Sequence, residues 1–178
     1  YGALIVFIAL VIINSFVTPN FVKINTLWNL VIQSFSVIII SLGMTLVIAT
    51  GGIDISVGST MALSSILFAK LLITYEQNIL LCLITALLAA AVFGLFNGIL
   101  IGIFDFQPIV ATLILMISGR GIAQQFNNGV VISFYGNRYA EIGLYRIGGT
   151  VPIQVIMAGI AIALVTFLVR RTSYGTYV

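Results

Sequence analysis

Residues 80–104, LLCLITALLAAAVFGLFNGILIGIF, form one continuous apolar run without a charged residue. A helix that crosses a membrane needs about 20 such residues, because it rises about 1.5 Å per residue through about 30 Å of hydrocarbon. Transmembrane β-strands instead alternate apolar and polar residues over about ten positions. The run therefore predicts a membrane-spanning helix.

The composition extends this prediction to the whole chain. Hydrophobic residues make up 61% of the sequence and charged residues only 6%, whereas soluble domains carry roughly 25% charged residues. Lipid cannot satisfy free backbone N–H and C=O groups, so membrane spans are helices or closed barrels. We expect an all-α, polytopic helical membrane protein.

Six spans are predicted from the apolar blocks. They cover residues 3–17, 28–50, 57–75, 79–104, a fifth from Pro108 to the polar QQFNNG at 124–129, and 151–169. Residues 127–150 are predicted to be an extramembrane loop within a single transmembrane domain, 1–178. Because the chain begins inside an apolar run and ends after Arg170 and Arg171, we interpret it as truncated at both ends. That basic pair predicts a cytoplasmic end for the sixth span.

Several function classes are disfavoured by the residues present. The net charge of +3 comes from scattered basic residues, which does not indicate nucleic-acid binding. Cys82 is the only cysteine and histidine is absent, so we expect a buried apolar thiol and no metal site. The sequence lacks a G-x-x-x-x-G-K-[ST] loop. We therefore predict a protein without catalytic residues and without a bound cofactor.

Small residues recur every four positions along the fourth span. Gly94, Gly98 and Gly102 form two overlapping G-x-x-x-G motifs, which let helix backbones approach closely in lipid. The stripe predicts helix packing. Two partners stay open, another span of this chain or a second subunit.

Polar residues inside the spans suggest a path for a solute. Arg120 is expensive to place in a membrane unless it reaches the interface or faces a polar conduit, and both alternatives stay open. Neutral hydrogen-bonding groups suit a hydroxyl-rich solute better than an ion. The predicted translocation path contains Gln33, Ser34, Asn97, Thr112, Arg120 and Gln124. Hydrogen bonding between helices would explain Gln33 and Ser34 equally well.

The stretch ATGGIDISVGS, residues 49–59, separates the second and third spans. Its glycines can end a helix in the left-handed conformation, and Asp54 or Ser56 can cap the next helix. The last two residues of the motif would allow close approach by a neighbour. We interpret the motif as architectural, with Gly51, Gly52, Asp54, Ser56, Gly58 and Ser59 as its members.

Two segments resemble a known family. Residues 43–59, GMTLVIATGGIDISVGS, resemble the signature of permease subunits of ribose/xylose/galactose-type ABC sugar importers. Residues 96–124, FNGILIGIFDFQPIVATLILMISGRGIAQ, are similar to the block that follows it, with the galactofuranose-type permeases closest. The branched-chain amino acid importers differ at GGIDISVGS, which favours the sugar branch.

The resemblance implies a ten-span type II importer permease in the bacterial cytoplasmic (inner) membrane, of which this chain holds about six spans. It implies a second permease subunit, an extracytoplasmic sugar-binding protein and cytoplasmic ATP-binding subunits that hold ATP and Mg. Residues 170–178, RRTSYGTYV, would lead into the segment that couples to the ATPase.

Two other functions remain as alternatives. A stand-alone secondary carrier or channel for a small polar solute would need buried ionisable groups or broken helices at mid-membrane. A membrane scaffold without transport activity would explain the glycine stripe but does not require Arg120.

Overall fold

The computed structural model describes residues 1–133, 143, 145–173 and 175. These residues form six helices and one two-stranded antiparallel hairpin, in which Ile147 pairs with Val151. The helices are α1 (Gly2–Val17), α2 (Ile24–Ala49), α3 (Val57–Ala69), α4 (Ile79–Gly102), α5 (Pro108–Phe126) and α6 (Ile153–Arg171), and the strands are β1 (Arg146–Ile147) and β2 (Val151–Pro152).

Helix α3 lies at the centre of the main helix group, where it packs against both α4 and α5. Helices α2 and α6 form a second contacting pair. The most apolar window of α5 is 28% buried, whereas that of α2 has no buried residue. Most apolar side chains therefore face outward, as expected for helices whose surroundings are lipid or other protein.

Small side chains bring α3, α4 and α5 together. Ala86, Ala111 and Ala123 are buried in this group, and Ser59 of α3 donates a hydrogen bond to Leu115 O of α5 at 3.2 Å. A Cβ atom on Gly119 would lie 2.6 Å from Phe93 Cε2 and 3.1 Å from Ser59 Oγ. The three helices thus meet at a position that only glycine fits without displacement of its neighbours.

Helix α2 ends in a hydrogen-bonded glycine motif. Gly51 N–H donates to Ile48 O at 3.0 Å and Gly52 N–H donates to Val47 O at 2.9 Å, which is the Schellman pattern. Gly51 has φ +76°, a conformation that is unfavourable for residues with a Cβ. The helix end predicted from the paired glycines is therefore present.

The far end of α3 continues as a π-helical turn, Lys70–Thr74. The Lys70 ammonium donates to the carbonyl of Phe126, the last residue of α5. A cation is favourable at a helix C-terminus, where the last carbonyls lack partners. This contact ties the ends of α3 and α5 together.

The helical fold predicted from composition is confirmed, with differences at individual spans. Among the described residues, five helical segments are long and apolar enough to cross a membrane. The first predicted span corresponds to the apolar helix α1, of which this sequence holds 16 residues. Helix α2 begins four residues earlier than predicted, and α6 begins at Ile153 because Val151 and Pro152 form β2.

Part of the predicted loop at residues 127–150 has regular structure. Strand β1 lies within it and pairs with β2, and Arg146 donates to Asn29 Oδ1 of α2 at 3.4 Å. Residues 134–142 and 144 lie outside the described residues.

The glycine stripe of α4 has no close neighbour within the described residues. A Cβ on Gly94, Gly98 or Gly102 would meet nothing within 4 Å. Contact with a second subunit stays a prediction for this stripe. The single cysteine, Cys82, is fully buried, as expected.

Gly119→Ala should destabilise the protein, because the added methyl must displace the Phe93 ring and Ser59. Overpacking of this kind costs about 1–3 kcal/mol. Gly121→Ala is the matched control: its Cβ meets nothing within 4 Å, so it should be neutral or stabilising by up to about 1 kcal/mol. Thermal unfolding of the two purified variants in detergent measures the difference, and equal stability would contradict the packing described.

Candidate functional site

Two cavities that share Asp54 and Gly94 lie between α3, α4, α5 and the segment that precedes α3. We call them together the Asp54 cleft. The larger has a volume of about 500 Å³ and is also lined by Val47, Thr50, Gly51, Gly52, Ile53, Asn97, Ile101, Pro108 and Thr112. The smaller, of about 320 Å³, is also lined by Ser56, Val57, Thr60, Met61, Ser64 and Ala90. Both volumes fall in the range of about 300–1,000 Å³ that holds small molecules.

Asp54 organises the segment between α2 and α3. Its Oδ1 accepts hydrogen bonds from Ser56 N–H at 2.8 Å and from Ser56 Oγ–H at 2.6 Å. This is the Asx-turn arrangement, in which a short acidic side chain holds the backbone two residues on. Neither side chain caps α3 in the predicted manner. Ser56 is the N-cap residue but makes no side-chain cap bond, and Asp54 accepts from the N–H of Ser56, not from a residue within α3.

Asn97 extends this arrangement from α3 to α4. Its Nδ2 donates to Ser56 Oγ at 3.1 Å, and Ser56 is 2% exposed. The single hydroxyl proton of Ser56 is directed at Asp54, so Ser56 can only accept from Asn97. The amide therefore turns its Nδ2 toward Ser56 and its Oδ1 away.

Hydroxyl side chains continue the cleft along one face of α3. Ser56, Thr60 and Ser64 are spaced four residues apart and so lie on the same side of the helix. Thr60 donates to Ser56 O at 3.1 Å. The three residues extend over about 12 Å of helix, and all line the smaller cavity.

Two buried polar atoms of the cleft lack a protein partner among the described residues. They are Asn97 Oδ1 and Ser64 Oγ. Buried polar groups are normally paired, and each exception calls for an explanation such as a bound water or ligand. Both atoms belong to residues of the cleft, which makes the cleft the candidate binding site.

The walls of the cleft are open because several positions lack side chains. A Cβ on Gly51 or Gly94 would meet nothing within 4 Å. Thr112 is 1% exposed and lies 3.3 Å from Ile53 O, which links α5 to the Asp54 segment. Asp54 is the one charged residue of the lining, and no group of three or more His, Cys, Asp or Glu gathers among the described residues.

The predicted path residues do not all meet. Asn97 and Thr112 line the larger cavity of the cleft. Gln124 lines a separate cavity of about 330 Å³ with Ser65 and Asn127. Arg120, Gln33 and Ser34 are exposed and line neither cavity of the cleft.

The architectural motif is divided as well. Ser59 is buried against α5, whereas a Cβ on Gly58 would meet nothing within 4 Å. Close approach is thus found at Ser59 and not at Gly58 within the described residues. Asp54 and Ser56, interpreted from sequence as structural, also line the cleft.

Sequence reasoning missed Thr60, Ser64 and Gly94 as cleft residues. The signal was present for the first two, because Ser56, Thr60 and Ser64 recur every four residues as polar positions on a helix. Gly94 carried a packing pattern instead, and only its position opposite Asp54 assigns it to the cleft.

Comparison with known proteins identifies relatives along the whole chain. The galactofuranose transporter permease protein of Escherichia coli is 33% identical over 98% of this chain and 53% of the relative. The ribose import permease protein of Escherichia coli is 34% identical over 99% of the chain and 56% of the relative. A fructose import permease protein of Bifidobacterium longum is 31% identical over 97% and 52%. These relatives confirm the resemblance to sugar permeases.

The chain spans about half the length of the curated relatives that it matches. No solved structure matches it. The family described as branched-chain amino acid transport system / permease component matches residues 26–178. Because that match covers most of the chain and five helical segments of its described part are long and apolar enough to cross a membrane, the protein belongs to this permease family and is a multi-pass protein of the cytoplasmic (inner) membrane.

Proposed function

We propose that this chain is part of the permease subunit of an ATP-binding cassette importer and forms the translocation path for a monosaccharide. The Asp54 cleft carries the proposal, since it gathers polar groups among three helices with apolar outer faces. The choice of a sugar is supported by relatives named for galactofuranose, ribose and fructose.

The chemistry of the cleft suits a hydroxyl-rich solute. Its lining offers hydroxyls, an amide and one carboxylate, which can replace the water molecules that a sugar loses on leaving solution. Ion pathways instead use rings of charged side chains or carbonyls. The open wall at Gly94 leaves room for the solute beside Asp54.

The partners follow from the same proposal. The sequence contains no phosphate-binding loop of the G-x-x-x-x-G-K-[ST] type, so cytoplasmic subunits supply ATP and Mg. An extracytoplasmic sugar-binding protein delivers the solute, and a second permease subunit, identical or different, completes the path. In this assembly the chain moves solute without catalysing a reaction.

Uptake should require the ATPase. Cells that express the complete permease and binding protein are tested with and without the companion ATP-binding subunit for uptake of radiolabelled D-ribose, D-fructose and D-galactose. We expect loss of uptake to background without that subunit. Uptake that persists, or that stops only with a proton ionophore, would favour the stand-alone carrier, for which Asp54 is the available ionisable group.

Gly94→Leu should block transport without unfolding the protein. The new side chain would extend into the cleft, where a Cβ meets no described atom, so we expect at least a tenfold loss of uptake rate with little change in thermal stability. Gly43→Leu is the matched control, because Gly43 is an exposed helical glycine that also meets nothing within 4 Å. Equal uptake by the two variants would show that the cleft is not part of the translocation path.

A further inference from the structure

The Asp54 cleft presents two hydrogen-bond acceptors that no described residue satisfies. Both Ser56 bonds go to Asp54 Oδ1, which leaves Asp54 Oδ2 without a donor among the described residues. Asn97 Oδ1 is buried and likewise unpartnered, in a residue that is 6% exposed. Both residues line the larger cavity.

Ser56 fixes which atoms are left over. Its hydroxyl donates to Asp54 Oδ1 and accepts from Asn97 Nδ2. Ser56 therefore pairs with one polar atom of each of these two side chains. The second polar atom of each side chain, Asp54 Oδ2 and Asn97 Oδ1, is thereby left without a donor among the described residues. Ser56 acts as a positioning residue for both.

Acceptors without a fixed donor select a ligand that brings its own O–H groups. A hard divalent cation would require about six or more oxygen ligands, and Asp54 is the one carboxylate of the cleft lining. A polyol needs only one hydroxyl for each free acceptor. Hydrogen bonds to a charged group are also stronger than those between neutral groups.

Resting on the proposed function, we propose that Asp54 Oδ2 and Asn97 Oδ1 form a sugar-binding station that accepts hydrogen bonds from two hydroxyls of the transported sugar. Asn97 Oδ1 is buried without a partner in this conformation, so a sugar hydroxyl reaches it only when the cleft opens onto that atom. A sugar hydroxyl that reaches it pairs a buried polar group, which favours the occupied state over the empty one.

The test uses a substitution that preserves the turn. Asp54→Asn keeps an oxygen that can accept from Ser56 but replaces Oδ2 by an NH₂ group. Asp105→Asn is the matched control: it makes the same change of charge in the exposed loop between α4 and α5, at a φ of +54° that asparagine tolerates.

Uptake is measured in the complete transporter for D-ribose, D-fructose and D-galactose and for each monodeoxy analogue. The binding protein contributes equally to all variants, so a change in the ratio of parent to deoxy uptake reports on the permease. For at least one hydroxyl, Asp54→Asn should lower that ratio about tenfold. Asp105→Asn should retain the wild-type ratio.

A second variant covers the case in which Asp54→Asn fails to fold. Asn97→Leu removes the buried acceptor at similar volume, and it should lower the ratio for a second hydroxyl. If the ratio of parent to deoxy uptake is unchanged at every hydroxyl in a folded variant of Asp54 or Asn97, the sugar-binding station is overturned. Sugar uptake by the wild type would still leave the proposed function intact. Absence of wild-type uptake for all three sugars would instead overturn the proposed function and the station with it.

A cation site gives a different result. If wild-type uptake depends on Na⁺ and that dependence disappears in Asp54→Asn, the carboxylate binds a cation and the hydroxyl station is overturned. Uptake that is independent of Na⁺, together with a lowered ratio, is the result that we expect.

Discussion

The rest of the site depends on two hydrogen bonds, from the N–H and the hydroxyl of Ser56 to the Asp54 carboxylate. They fix the direction in which α3 leaves the Schellman turn of α2, and Ser56 then receives the amide of Asn97 from α4. Ser59, one turn further along α3, bonds to Leu115 O of α5. These contacts together give the three helices a shared polar face.

Much of the fold follows from the sequence, because lipid restricts the backbone to a few solutions. Apolar length predicts helices, and paired glycines, Pro108 and polar clusters predict their ends. The errors lie where local pattern competes with tertiary contact. Helix α6 begins after Pro152 because β2 pairs with β1.

The site was harder to predict, since it depends on contacts between residues that are distant in sequence. Asn97 lies 41 residues from Ser56, and Leu115 lies 56 residues from Ser59. A four-residue glycine repeat indicated packing at Gly94, Gly98 and Gly102, yet the glycine in tight contact between α3, α4 and α5 is Gly119. Asp54 is both architectural and part of a cavity wall: one carboxylate oxygen holds the turn, and the other has no donor among the described residues.

In the transporter that we propose, the Asp54 cleft is a polar path that the transported sugar enters. Cys82 is the only cysteine of these 178 residues and is fully buried, so Thr60→Cys in the cleft is made in a permease in which Cys82 and any cysteine outside this sequence are replaced by alanine. Ser118→Cys is the control, since Ser118 is exposed on α5 and bonds only within its own helix among the described contacts. The most direct measurement is the rate at which a charged thiol reagent modifies each cysteine in the assembled transporter. We predict that the reagent modifies Thr60→Cys and that transported sugar slows this modification severalfold. Ser118→Cys should react little. Equal rates at both positions and no protection by sugar would contradict the assignment of the cleft to the path.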